Sequence, residues 1–140
     1  MKNTFVVIFL MLVMLCLGST TSFADVLIIA NKNVSEDSIS KEDVKNIFLG
    51  NTVKWKDKSS ISFVILKNDV HRAFLKEYIK RSSSQYGNYW KKMVFTGKGR
   101  QPRAFETEKE LIRYVAETDG AIGYINKGTE MMNVKTINVN

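Results

Sequence analysis

The sequence contains one cysteine, one histidine and one proline in 140 residues. Cys16 lies in an apolar N-terminal run that we expect to be removed, so the remaining chain has no disulfide, no thiol nucleophile and no cysteine ligand for a metal. A lone His71 cannot form a His/Cys zinc cluster, and the sequence has no Gly-x-Ser-x-Gly nucleophile elbow. These absences argue against an enzyme, a bound metal and a cofactor.

Residues 1–24 have the pattern of a secretory signal peptide. A basic start is followed by an apolar run over residues 4–18, and Ser22 and Ala24 supply the small residues that a signal peptidase reads. We therefore expect cleavage after Ala24, a periplasmic or secreted protein, and no stable membrane insertion of the remaining chain. The alternative is an uncleaved membrane anchor, although the run is shorter than the roughly 20 residues of a spanning helix.

Residues 25–140 are enough for one domain with a hydrophobic core, so a single domain is the expectation. This part of the chain has 20 basic and 14 acidic residues, a net charge of +6. Such an excess favours anionic partners, among them oxyanions, anionic polymers and lipid head groups. An ordinary soluble surface is the alternative, because net charge alone does not identify a partner.

Strand and helix patterns alternate along this part of the chain. The unbroken apolar run at 26–30 indicates a strand covered on both faces, as in parallel sheets, whereas the alternation at 134–139 is typical of an exposed or edge strand. The other predicted elements are a helix at 40–48, a strand at 61–66, helices at 68–81, 82–95 and 107–120, and a strand at 121–125. This order predicts a three-layer α/β fold with a mixed sheet and helices on both faces.

Caps mark several of the predicted helix starts. Ser40 with Asp43 has the spacing of a capping box, as does Thr107 with Glu110. In α/β sheets, ligands bind beyond the carboxyl ends of strands and close to helix N-termini. The loops at those positions are therefore the candidate binding sites.

The turn after strand 61–66 is the first candidate. Its polar and cationic side chains are Lys67, Asn68, Asp69, His71 and Arg72. Together with the free N–H groups and the positive end of the helix that follows, they have the chemistry to hold an anion. The alternative is an ordinary helix capped by Asn68 or Asp69, with solvated basic residues.

The second candidate is a run of two glycines and two cations ahead of helix 107–120. It comprises Thr96, Gly97, Lys98, Gly99 and Arg100. The glycines would present backbone N–H groups as an anion nest, so we expect a loop that faces a ligand. The alternative is that the glycines serve turn geometry only. A nucleotide-hydrolysing P-loop is not expected, because the Gly-x-x-x-x-Gly-Lys-Ser/Thr pattern is incomplete.

Nucleic acid is another anionic partner that the charge would permit. However, Tyr86, Tyr89 and Trp90 have helical spacing, which is more typical of a core face than of a base-stacking platform. Export also argues against this partner. We therefore do not expect nucleic-acid binding.

Four segments carry a resemblance to a known family: "SISKEDVKNIFLGNTVKWKD", "FLKEYI", "YWKKMVFTGKGRQP" and "GAIGYI". In order and spacing they resemble the second lobe of the phosphate-binding proteins of ABC transporters, which have a type 2 periplasmic binding protein fold. The resemblance implies a short, stand-alone member of that family. It also implies that "VLIIAN" and "GAIGYI" are the strands that cross between lobes.

The resemblance further implies an exported solute-binding module that binds a small oxyanion, most simply phosphate, with a membrane transporter or sensor as partner. Lys67 falls near the family's cleft arginine, and Asp69 near its polar turn. Two features depart from the family: "KNDVHRAF" replaces the Ser-Gly-Thr turn, and the chain is much shorter than the two-lobed relatives. The alternative is a secreted interaction or regulatory module that keeps the fold without the ligand.

Overall fold

The structure is a computed structural model that describes residues 25–140, so the predicted signal peptide and Cys16 lie outside the described residues. The strands are β1 (Val26–Asn31), β2 (Ser38–Ile39), β3 (Ser62–Leu66), β4 (Arg103–Phe105), β5 (Ala121–Asn126) and β6 (Val134–Val139). The helices are α1 (Lys41–Phe48), α2 (Asp69–Phe74), which continues as a π-helical turn (Leu75–Ile79), α3 (Ser83–Phe95) and α4 (Glu108–Glu117). Among these described helices, none has the length and apolar character needed to cross a bilayer.

The strands form one mixed sheet in the order β2-β6-β1-β5-β3-β4. β1 is antiparallel to both neighbours, with Ile28 beside Tyr124 of β5 and Ile137 of β6. The pairs β2–β6, β3–β4 and β3–β5 are parallel, so β1 runs against every other strand described here. The carboxyl ends of β3, β4 and β5 consequently meet at one edge of the sheet.

Two expectations about the strands are wrong. The apolar run that forms β1 is buried as predicted, but both of its pairings are antiparallel, because a central strand between two helix layers is covered whatever its direction. β6 is not the edge strand, because β2 pairs with it on the side away from β1. Neither β2 nor β4 is predicted from the sequence, since strands of two and three residues are too short to show a periodic pattern.

Helices cover both faces of the sheet, as predicted, and neighbouring residues of β5 show this directly. A side chain at Gly123 would lie 2.9 Å from Leu111, which places α4 on that face. Tyr124 points to the opposite face, where its ring stacks on Phe74 of α2 at 3.9 Å and lies 5.8 Å from the Phe48 ring of α1. The absence of a side chain at Gly123 lets α4 approach the sheet closely.

The helix starts are fixed largely by the predicted caps. Ser40 and Asp43 exchange both bonds of a capping box at α1. Asn68 caps α2, and Thr107 accepts the Glu110 amide at 3.2 Å at the start of α4. These bonds satisfy backbone donors that a helix start leaves free.

The aromatic residues of α3 belong to the core, as their spacing predicts. Tyr86 and Trp90 are only 2% and 3% exposed, and Tyr89 is half-buried. The Tyr86 hydroxyl donates to the Phe48 carbonyl at 2.8 Å, and the Tyr89 hydroxyl donates to the Leu49 carbonyl at 2.6 Å. These two bonds hold α3 against the carbonyl end of α1, on the same side of the sheet as α2.

Candidate functional site

The first candidate site lies at the carboxyl edge of the parallel strands. Lys67 directly follows β3, and its amide donates to the Phe105 carbonyl of β4 at 3.0 Å. β4 ends beside β3, since Leu66 pairs with Phe105. The sheet thus places the Lys67 turn next to Glu106 and the start of α4, at the edge where ligands bind in folds of this class.

The backbone at the start of α2 is partly occupied by its own cap. Asn68 Oδ1 accepts the Val70 amide at 3.0 Å, and the Asn68 carbonyl accepts the His71 amide at 3.1 Å. Two of the N–H groups that an anion would use therefore already have partners. This geometry matches the capped-helix alternative, so the side chains must supply most of any affinity for an anion.

The charges around this turn are balanced. Lys67 Nζ lies 3.5 Å from Glu106 Oε1, and the Arg72 guanidinium donates to Asp69 Oδ1. All four side chains are exposed to solvent. Glu106 is the residue that sequence reasoning misses here, because its place beside Lys67 depends on the unpredicted strand β4. Exposed pairs of this kind contribute only about 0–1 kcal/mol each, so a stronger anion can displace either carboxylate.

His71 is largely buried and lies against Tyr124. The Tyr124 hydroxyl accepts the Leu66 amide at 2.9 Å and lies 2.5 Å from His71 Nδ1. The Tyr124 hydroxyl can donate its proton to Nδ1, in which case the neutral imidazole carries its own proton on Nε2. Burial lowers the pKa of His71 to about 4 and raises the pKa of Tyr124 well above its usual value. His71 is therefore neutral at neutral pH and adds no positive charge to the site.

A cationic groove continues from Arg72 along the end of α2. It encloses about 640 Å³ and is lined by Arg72, Lys76, Lys80, Arg81 and the serines at the start of α3. The Arg81 guanidinium also covers the ring of Tyr89 at 4.9 Å. Sequence reasoning does not single out this groove, because its cations come from a helix end and a turn that the π-helical segment brings together.

The second candidate site lies at the end of α3, not at a helix start. Gly97 adopts a φ of 72°, its amide donates to the Val94 carbonyl at 3.1 Å, and the Lys98 amide donates to the Met93 carbonyl at 2.9 Å. This is the hydrogen-bond pattern of a glycine-terminated helix. Both amides are therefore used within the helix end, where the helix dipole is negative and does not favour an anion.

The other glycine of this loop packs on an aromatic side chain. A Cβ added at Gly99 would lie 2.9 Å from the Trp90 ring. Trp90 in turn lies against Phe63, with ring centroids 5.5 Å apart, near the beginning of β3. Lys67 follows the opposite end of that strand. The structure therefore does not bring the five residues at 96–100 together with those at 67–72.

Lys98 and Arg100 remain exposed at this second site. Within residues 25–140, neither has a carboxylate within ion-pair distance, unlike Lys67 and Arg72. The same described part of the chain contains no group of three or more side chains suited to holding a metal ion. The binding roles of all ten candidate residues stay predictions.

No protein-family model matches the sequence, and no curated protein matches it. Solved structures do match. An ABC-type phosphate transport receptor from Vibrio cholerae is 17% identical, with a TM-score of 0.55 over 81% of this chain and 45% of the receptor. A protein from Clostridium perfringens, described as a phosphate ABC transporter substrate-binding protein and solved with bound phosphate, is 16% identical, with a TM-score of 0.62 over 81% of this chain and 44% of its own.

PstS from Borrelia burgdorferi gives a similar result, with 17% identity and a TM-score of 0.55 over 82% of this chain and 47% of its own. This chain has the fold of one lobe of these proteins. The resemblance seen in the sequence motifs is thus confirmed at the level of the fold. The chain spans less than half the length of the solved proteins that it matches.

Proposed function

We propose that this protein is an exported solute-binding module that binds a small oxyanion, most simply phosphate, in the periplasm or outside the cell. The structural neighbour from Clostridium perfringens holds phosphate, and the chain shares the fold of one lobe with it. A membrane transporter or sensor would be the partner that uses the bound solute. The neighbours are binding proteins, and we propose no catalytic step.

The observation that carries this proposal is the position of Lys67 and Arg72. Both cations flank the start of α2 at the carboxyl edge of the sheet. A phosphate that contacts both side chains would gain the attraction of two cations, whereas each carboxylate is paired with only one of them. Phosphate would therefore replace Glu106 and Asp69 as the partner of these side chains.

The test is a calorimetric titration of phosphate into the purified protein and two variants. Arg72→Gln and Lys67→Gln should each weaken binding by about ten- to a hundredfold, since each removes one charge-assisted bond. Arg100→Gln is the matched control, because it also removes one exposed cation but lies near the other end of the sheet. If Arg100→Gln weakens binding and Arg72→Gln does not, the second candidate site holds the ligand instead.

The second candidate function is an interaction or regulatory module that keeps the fold without binding the ligand. The balanced charge of the Lys67 turn favours it, because two cations face two carboxylates and the Asn68 cap already uses nearby amides. The absence of any phosphate-dependent heat with the unaltered protein would support this function and contradict the first.

A further inference from the structure

The basic residues of the chain are unevenly distributed. Residues 78–105 contain no Asp or Glu but hold seven basic residues, whereas the rest of residues 25–140 holds 13 basic and 14 acidic residues. The seven are Lys80, Arg81, Lys91, Lys92, Lys98, Arg100 and Arg103. The positive excess of the described chain therefore lies between residues 78 and 105, on α3, its adjoining loops and the first residue of β4, and it favours an anionic partner for this region.

The core contacts of α3 determine which way its other residues point. Tyr86 and Trp90 are buried, so the face that contains them packs on the sheet layer. At about 100° per residue, Phe95 lies half a turn away from Tyr86, on the same outward line as Lys91. Phe95 is 92% exposed, which agrees with this orientation.

An aromatic residue thus stands in solvent within a cluster of cations. Val94 beside it is 44% exposed. Lys91, Lys92, Lys98 and Arg100 are all exposed, and within residues 25–140 none of them has an ion-pair partner. We call Lys91, Lys92, Phe95, Lys98 and Arg100 the basic face. The phosphate site proposed above uses none of these residues.

We propose that the basic face docks the protein on a bilayer surface that contains anionic lipids. Lys and Arg side chains are attracted to lipid phosphates, and an exposed aromatic ring gains by entering the boundary between head groups and acyl chains. A soluble polyanion without apolar or stacking groups would use the cations but would leave Phe95 in water.

The experiment measures co-sedimentation of the exported, purified protein with vesicles. One set contains phosphatidylcholine alone and the other mixes it with phosphatidylglycerol. The unaltered protein should bind the mixed vesicles and not the neutral ones, and added salt should weaken binding through screening. The double variant Lys91→Gln/Lys92→Gln should lose about fivefold per residue removed.

Each variant has a matched control. Lys109→Gln/Arg113→Gln removes two exposed cations from α4, on the other side of the sheet, and should leave binding within about twofold of the parent. Phe95→Ser should weaken binding by about tenfold or more, because the variant has no aromatic ring to bury in the bilayer interface. Met132→Ser removes an apolar side chain that is 64% exposed elsewhere and should change little. Thermal melting and phosphate titration should be unchanged in all four variants.

Three results would overturn the proposal. Failure of the unaltered protein to bind the mixed vesicles would leave the basic face for another partner, such as an acidic protein. Equal losses from the Lys91/Lys92 and Lys109/Arg113 variants would show that net charge, not this face, governs association. Full vesicle binding by Phe95→Ser would indicate a purely electrostatic surface for soluble polyanions.

Discussion

The turn after β3 and the loop after α3 each carry two exposed cations, but their surroundings differ. At the turn, Lys67 and Arg72 each face a carboxylate, and a helix begins. At the loop, Lys98 and Arg100 have no carboxylate partner among the described residues, and a helix ends. The cations of the turn are therefore paired with carboxylates, whereas the positive charge of the loop is not balanced by a neighbouring carboxylate among the described residues.

The number of cations in each loop does not reveal whether those cations have carboxylate partners. The partner of Lys67 is Glu106, which lies far along the chain and reaches the turn only through the pairing of β3 with β4. The glycines at 97 and 99 have structural reasons in the helix end and the Trp90 ring. Charge and glycine content alone therefore do not distinguish an anion site from an exposed helix end.

Removal of the Trp90 side chain should have the largest effect on stability, because its ring supports the loop after α3. Trp90→Ala should lower the free energy of unfolding by about 3–5 kcal/mol, as large aromatic truncations in cores do. Phe95→Ala, an aromatic truncation on the exposed side of the same helix, should stay within about 0.5 kcal/mol of the parent. Urea unfolding of both variants tests this, and equal losses would contradict the core assignment.

At the turn after β3, His71 should make the free energy of unfolding depend on pH. Its folded pKa is near 4, whereas an exposed histidine titrates near 6.5, so between these values the unfolded chain binds a proton that the folded chain does not. The free energy of unfolding should be undiminished above pH 6.5 and fall as the pH drops toward 4.

The variant His71→Asn isolates this dependence. The asparagine oxygen can still accept the Tyr124 hydroxyl proton but does not titrate, so other groups contribute equally to both proteins. Urea unfolding at neutral pH and near pH 4.5 should show a smaller drop for the variant than for the parent. Parallel profiles for the two proteins would mean that the imidazole is not held neutral in the fold.

Gly87 lies within α3 and Gly97 lies just beyond its end, so alanine should affect stability in opposite directions at these two positions. Gly97→Ala should cost about 1–2 kcal/mol, because a Cβ has open space there but the left-handed backbone disfavours it. Gly87→Ala also enters open space, but within the helix, and should stabilise the protein by about 0.5–1 kcal/mol. Urea unfolding measures both. A neutral Gly97→Ala would imply that the helix end is not closed as described.

Glu106→Gln should have only a small effect on stability. Losing one exposed ion pair should change the free energy of unfolding by less than about 1 kcal/mol. Phosphate affinity should nevertheless rise by a few fold, because Lys67 no longer has a competing carboxylate. Calorimetric titration against Glu110→Gln, an exposed change on α4, tests this, and unchanged affinity would place the ligand away from Lys67.

Much of the fold could be predicted because its main elements have strong local signals. The Ser40–Asp43 box, the Asn68 cap and the aromatic face of α3 all appear in the structure where the sequence places them. The direction of β1 could not be predicted, since pairing depends on β5 and β6 and leaves no mark in the run itself. The shortest strands, β2 and β4, have too few residues to show the alternation of apolar and polar side chains that identifies a strand.

The candidate site was less predictable than the fold. The cations of both loops could be found in the sequence. The distance between the two loops could not, because it depends on the packing of α3 near the start of β3, whereas Lys67 follows the end of that strand. The neutral state of His71 could not be foreseen either, because its burial against Tyr124 joins residues from α2 and β5. The exposure of Phe95 could be predicted, since helical spacing places it opposite the buried Tyr86.

The position of β1 makes formation of the sheet depend on residues that are far apart in the sequence. Ile28, near the start of the described chain, pairs with Tyr124 and Ile137 near its other end. Such distant pairing requires closure of a very long loop before it contributes any stability, which slows folding. The middle of the sheet therefore forms only after nearly all of the chain is available. The sheet of a growing chain therefore stays incomplete until both β5 and β6 have been made.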